Sequence, residues 1–420
     1  MKKTFSECVK GIVYLFTSPL SAFIISLLVY SLLSRIRYAS IFDLSPYPYF
    51  NFLADAFIHG QFNFRLEPPS FHDLIVLNDK IFAYWPPFPA ILLLPFVVVF
   101  GVGFSDIFFT ILFGSINVAL FVILLKELNK KNIVSLDRIK LGILVLFFAF
   151  GTVYITVVPL GKVWFTSHVI SVFCVLLLYI SSVKYEGVKA FIFTGIAISA
   201  AFATRMHLLL LGIWPAWYLL LKNWHKSPKK IMSLIILGLV PPLVTGLLIF
   251  YYNYVRFGNI FDLGYAYHNM SYFFREDYIK YGGFNLHYIP TNIYYQYMAY
   301  PFLLKNKENI FMGGSLFLLS PLFFGIFWAF KDKGKKASNL FLLLTIFLTN
   351  IPILLLMGTG WVQFGPRYTL DFIIPLLILT AIGIKHWKNI TVFMLTIISI
   401  FHFLVGMYLL ILYFGMMEAI

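Results

Sequence analysis

Nine apolar stretches, each long enough to cross about 30 Å of hydrocarbon, lie near 12–33, 106–125, 141–158, 164–183, 231–251, 311–330, 339–357, 368–384 and 390–414. A water-soluble fold cannot hide that much contiguous apolar surface, so the bilayer has to be its main solvent. Composition agrees. Of 420 residues 60% are hydrophobic and only 12% charged, with a mean hydropathy of +0.87, well outside the range of soluble domains. The 48 Phe, 26 Tyr and 8 Trp suit wide aromatic belts at the two interfaces.

Two regions leave the number of crossings open. Residues 189–221 are too long for one comfortable span and carry Arg205 and His207 in the middle; residues 86–104 open with Trp85-Pro86-Pro87-Phe88-Pro89 and contain Pro95. Lysine and arginine decide both, because short cytoplasmic loops collect them. With 189–221 as a hairpin of two short helices and 86–104 lying at the outer interface, segments 1–11, 126–140, 184–189, 222–230, 331–336 and 385–389 are all cytoplasmic. These 52 residues hold 20 of the 32 Lys and Arg. Any other choice exposes a Lys-rich loop on the wrong side. The expectation is therefore an all-α polytopic membrane protein with about 11 transmembrane helices, its N-terminus cytoplasmic. The first run is too long for a signal-peptide core and reads as a retained span.

Two large segments remain on the outer side, 34–105 and 252–310. No cytoplasmic loop exceeds about fifteen residues, and neither GxxxxGK[ST] nor GxGxxG occurs, so nucleotide-driven chemistry on that side is not expected. No linker divides 1–420, which reads as a single domain. The net charge of +15 is spread over the short loops and marks topology rather than a nucleic-acid surface. Cys8 and Cys174 provide neither a disulfide framework nor a cysteine metal site. The nine histidines show no HxH or HxxxH spacing and no cluster with carboxylates along the sequence, so no metal is expected. Chemistry belongs at the outer face.

Acidic residues divide the other way. Glu7, Glu127, Asp137, Glu186 and Asp332 fall in the cytoplasmic segments, and the other twelve of 17 at the outer face or outer helix ends. Each outer carboxylate reads first as a solvated loop residue. Asp43 follows the first span within a few residues, where a carboxylate held at the membrane surface can take a proton from an acceptor hydroxyl. The basic residues near outer helix ends are Lys162, Arg205, Arg256 and Arg367. They read either as snorkelling side chains or as a set converging on an anionic headgroup, for which guanidinium is suited. His168, on the outer half of a span, joins the second reading and is an ordinary packed histidine in the first.

Four stretches in order carry a family likeness: Tyr49-Phe-Asn-Phe-Leu-Ala-Asp-Ala-Phe-Ile-His-Gly60, Tyr84-Trp-Pro-Pro-Phe-Pro-Ala90 running to Phe100-Gly101, Asn253-Tyr-Val-Arg-Phe-Gly258 with Gly264-Tyr265, and Gln363-Phe-Gly-Pro-Arg-Tyr368. The chain resembles the GT-C superfamily of membrane glycosyltransferases, in particular bacterial relatives of protein O-mannosyltransferases and aminoarabinose transferases. The resemblance implies two interfacial helices in the first outer loop and a sugar donor carried on a polyprenyl phosphate, with no cofactor. It also implies a lipid, glycan or protein acceptor at the outer face, residence in the inner membrane of a prokaryote, and inverting transfer with an Asp of the first loop as general base. Lys162, His168, Arg205, Arg256 and Arg367 then become candidates for holding the donor phosphate. The family's acidic pair ahead of the first interfacial helix is replaced here by Ser45-Pro46, which leaves Asp43 and then Asp73 as candidates for the base.

A lipid or oligosaccharide flippase is the competing class. It expects ionisable residues buried at mid-membrane along several spans, whereas here they gather at helix ends.

Overall fold

A computed structural model describes residues 2–304, 307–331, 333–358 and 362–417. Asp332, counted above among the cytoplasmic acids, lies outside the described residues. The fold is helical and polytopic. Seven helices among the described residues are long and apolar enough to cross a membrane, and a bent pair at the N-terminus makes an eighth.

That bent pair corrects the first expected span. The run 12–33 is not one rod: Lys2–Leu15 and Pro19–Ser34 meet at about 100°. Pro19 supplies no backbone N–H and disfavours helix at Ser18 before it, and Ser18 is indeed extended. Three further expected crossings are short. Gly187–Phe202 has 16 residues; after a turn at 203–205, Met206–Gly212 is a 3₁₀ segment that leads into Ile213–Asn223. The 311–330 run becomes a 3₁₀ segment, Pro321–Lys331, after one short helical turn. Length alone therefore does not support eleven full crossings.

The long helices begin and end where their chemistry dictates. Ser105 caps Asp106–Lys130 by accepting from Phe108 N–H at 3.0 Å, and Asp137 caps Arg138–Phe150 through Lys140 N–H at 2.8 Å. Gly258, in the left-handed region at φ 73°, ends the 30-residue helix Pro228–Phe257. Segments 138–160, Val163–Lys184 and 367–386 form the protein-facing centre, while Pro228–Phe257 is mostly uncovered, as a lipid-facing helix should be. With no hydrophobic drive between helices in lipid, polar contacts and small residues join them. Thr110 and Thr166 hydroxyls lie 2.7 Å apart between neighbouring helices, and Asn117 donates to Val169 O and Tyr154 Oη. A Cβ on Gly195 would sit 2.4 Å from Gly238 O, so Gly187–Phe202 and Pro228–Phe257 touch backbone to backbone.

The first outer segment is structured. Tyr49–Ile58 and Phe88–Phe100 pack against each other. The second has 13 residues with Pro95 inside, about 20 Å at 1.5 Å per residue, too short for a full crossing. Between them a hairpin pairs Ile75–Leu77 with Lys80–Phe82 through Asn78 and Asp79, both at positive φ, as a tight two-residue turn requires. The second outer segment pairs with this hairpin: Asp73 N–H donates to Asn269 O at 2.9 Å and Asn269 N–H to Leu74 O at 2.8 Å. Two loops nearly 200 residues apart are thereby held in register.

Candidate active site

Where the two outer segments meet the ends of the central helices, a polar cavity of about 590 Å³ opens. Beside it lies Asp106, a buried carboxylate at the start of a span, bonded to the loop before Tyr47 and through Ser45 to the Lys162 turn. Asp106 accepts from Ser45 N–H at 2.8 Å and Ser45 Oγ at 2.5 Å, and Ser45 Oγ in turn accepts from Lys162 N–H at 3.2 Å. Val163 N–H donates to Tyr47 O at 3.0 Å. These bonds pin the Lys162 turn under the first loop and hold Lys162 at φ 56°, a costly conformation for a side-chain-bearing residue. Asp73 at φ 60° and Val362 at φ 55° line the same cavity. Three of the six described non-glycine residues at positive φ thus surround one space, where strain commonly marks function.

One wall is carboxylate and aromatic. Trp164 Nε1 donates to Asp73 Oδ2 at 3.0 Å, and His268 and His72 place their Nε2 atoms 3.5 and 3.7 Å from Asp73 Oδ1. Tyr84 stacks on Trp85 at 3.9 Å and meets His268 edge-on at 4.7 Å. Burial pushes the Tyr84 phenol well up, with Asp73 adding to the shift, and takes Tyr265 up to about 12. Burial also lowers His268, outweighing the nearby Asp73 carboxylate. Both phenols and the imidazole are neutral at physiological pH. Flat aromatic faces beside one carboxylate suit a sugar ring with a hydroxyl to deprotonate.

A cationic set lines the same cavity. Lys162, Arg205 and Arg367 all line it, with His168 and His207. Arg205 and Arg367 flank Tyr368, their guanidinium carbons 5.2 and 5.4 Å from its ring centre. Arg367 is 7% exposed, makes no ion pair among the described residues, and its Nε has no hydrogen-bond partner. A desolvated guanidinium with nothing to neutralise it is poised for an incoming anion. Behind this wall lies Asp371, fully buried, with His168 Nδ1 3.0 Å from Oδ1, and His207 Nε2 and Arg205 Nε 2.8 and 3.2 Å from Oδ2.

The structure thus brings together Asp73, Lys162, His168, Arg205 and Arg367. It does not bring in Asp43 or Arg256. Asp43 sits in an exposed turn, where its Oδ2 accepts from Ser40 N–H at 2.7 Å, and it is absent from the cavity wall. Arg256 is buried, and each of its three nitrogens already donates within the protein: Nε to Tyr252 O, one Nη to Ala83 O and the other to Asn253 Oδ1. Sequence reading missed Asp371, His207, and the His72 and His268 neighbours of Asp73. It found no histidine–carboxylate cluster because both clusters form only on folding. Among the described residues no set of three or more His, Cys, Asp or Glu is arranged to hold a metal.

An apolar groove of about 970 Å³ abuts the cavity, lined by Phe88, Leu92, Phe173, Ile196, Ala200 and Leu248, among others. Trp85 and Pro86 face the polar cavity while Pro87 and Phe88 face the groove; likewise Arg205 faces the first and Ala203 the second. The seam is one hydrogen bond, Phe88 N–H to Ala203 O at 3.0 Å.

No family model and no curated protein matches the chain. Among solved structures it is similar to ArnT from Cupriavidus metallidurans bound to undecaprenyl phosphate, at 14% identity over 87% of this chain and 60% of that one, TM-score 0.46. The apo form of the same protein gives 13% identity, 87% and 59% coverage, and a TM-score of 0.49. The Archaeoglobus fulgidus oligosaccharyltransferase in its apo form gives 12% identity, 94% and 55% coverage, and a TM-score of 0.48. The chain spans about 60% of the length of the ArnT structures.

Proposed function

We propose that this multi-pass membrane protein is a glycosyltransferase that takes a sugar from a polyprenyl-phosphate donor and passes it to an acceptor hydroxyl at the outer face. The observation that carries this reading is the abutment of a cation-walled cavity and an apolar groove across the Phe88–Ala203 seam. The matching ligand is an amphiphile with an anionic head and a long hydrocarbon tail, and the aromatic residues of the cavity suit a sugar on that head.

In this reading Asp73, not Asp43, is the general base. It takes the proton of the acceptor hydroxyl as that oxygen attacks the anomeric carbon from the face opposite the phosphate. The bond from the anomeric carbon to the phosphate oxygen breaks, and its electron pair stays on that oxygen. The lipid phosphate therefore goes from a singly charged diester to a more highly charged monoester. Fixed cations that meet this growing charge without reorganising lower the barrier; Arg205, Arg367 and Lys162, which line the cavity, take that role in this reading. Configuration at the anomeric carbon inverts.

The test is a panel of radiolabelled polyprenyl-phosphate monosaccharides given to the purified protein in liposomes. The reading expects at least one donor to be consumed, with prenyl phosphate released, and consumption to need Asp73. Donors carried across the bilayer unchanged would instead make the protein a transporter.

A further inference from the structure

Asp371 is the least exposed charged group at the site and touches no open space. A carboxylate taken out of water is very costly unless fully compensated, and its three basic partners come from two other segments of the chain. His168 belongs to Val163–Lys184, and Arg205 and His207 to the turn and 3₁₀ segment that follow Gly187–Phe202. Each partner also lines the cavity, so the carboxylate stands directly behind the cationic wall.

The atoms engaged matter as much as the charge. Arg205 forms an ion pair with Asp371 at Nε, 3.2 Å from Oδ2, with no hydrogen bond aligned at that atom. Its two Nη groups are the pair that can grip two oxygens of a phosphate in one plane. His168 meets Asp371 through Nδ1, at 3.0 Å. A carboxylate on Nδ1 favours the tautomer with its proton there and fixes the ring plane, leaving Nε2 to face the other way. Asp371 is the negative partner of Arg205, His168 and His207 alike, so it holds these three groups close together.

We propose that Asp371 is the positioning residue of the anion-binding wall: it does not touch the ligand, but orients Arg205 and His168, with His207 as a third anchor, so that a lipid phosphate meets preset donors. This rests on the lipid-phosphate reading given above. A carboxylate serving only to hold helices together would affect stability and all ligands alike; a positioning carboxylate acts on the anion and acts through Arg205.

The experiment is equilibrium binding of radiolabelled farnesyl phosphate to the purified full-length protein, with farnesol as the uncharged control. Asp371→Asn, Arg205→Gln and the double variant are compared, with thermal stability measured on each. Each single change is expected to weaken farnesyl phosphate about tenfold and leave farnesol unchanged, and the double variant to lose no more than the worse single one. Losses that multiply in the double variant, or farnesol weakened equally, would overturn the proposal. If Asp371→Asn does not fold, His207→Asn decides. It keeps the carboxylate and removes one anchor, so a severalfold loss confined to farnesyl phosphate supports positioning and wild-type affinity overturns it. Equal wild-type affinity for the two lipids would overturn both this inference and the reading beneath it. A preference for farnesyl phosphate that survives Asp371→Asn overturns this inference alone.

Discussion

Trp164 donates its indole N–H to Asp73 across 3.0 Å, although 91 residues separate them. The bond ties a strained loop carboxylate to the first turn of a central span, so the candidate base is held by the membrane-embedded part of the fold. The same span carries His168 one turn further on, and thus one helix places both the carboxylate wall and the cationic wall.

Two of the three arginines singled out by position, Arg367 and Arg256, separate cleanly by their surroundings. Arg367→Lys keeps the charge but loses the planar fork, and should weaken farnesyl phosphate about tenfold, or about 1.4 kcal/mol, with little change in thermal stability. Arg256→Gln should do the reverse. Its buried bonds to Tyr252 O, Ala83 O and Asn253 are of the kind whose loss costs about 1.5–3 kcal/mol. A melting curve and a binding isotherm on each variant check both halves.

The groove offers a length-dependent test. Ala200 lines it and is only partly buried, so Ala200→Trp adds bulk there without overpacking a closed core. Affinity for a long polyprenyl phosphate should fall at least tenfold, while that for geranyl phosphate, which reaches less far into the groove, changes little. Competition binding with the two chain lengths measures the difference.

Protonation of His268 gives a stability test. Burial lowers its pKa below the usual value of about 6.5, so the unfolded chain takes up the proton first as pH falls. The stability present above about pH 6.5 is then progressively lost toward the lowered folded value. Melting temperature measured from pH 7.5 to 5 should fall more steeply for the wild-type chain than for His268→Gln, which has no proton to gain. Equal slopes would show that His268 is not held neutral.

Much of this was legible in the chain. Apolar run length identified a polytopic helical protein, and the helix ends singled out Lys162, His168, Arg205 and Arg367, which line one cavity. Asp371 left a signal too: an acidic residue four positions after Arg367, inside an apolar run, is expensive in a membrane and functional by default. As a helix-end residue it blends with the other carboxylates expected at the outer face. Of the His72–Asp73–His268 cluster only the adjacent His72-Asp73 pair is visible in the sequence; His268 joins it through backbone pairing between loops almost 200 residues apart. Asp43 lies close to a span in sequence but in an exposed turn off the cavity wall, whereas Asp73 lines it. Span count suffered similarly, since Pro19 and Pro321 break helical continuity that hydropathy does not register.

The most direct test of the account follows donor consumption by membranes containing Asp73→Asn or Asp43→Asn at matched expression, using a donor the wild-type chain turns over. Asparagine keeps the size and polarity of either side chain but cannot accept the acceptor's proton, and loss of a general base typically costs about 10²–10⁴ in rate. Asp73→Asn should fall by that amount while still binding farnesyl phosphate, and Asp43→Asn should stay within about twofold of the wild-type rate. Full activity in Asp73→Asn, with loss in Asp43→Asn or in neither, would contradict the account.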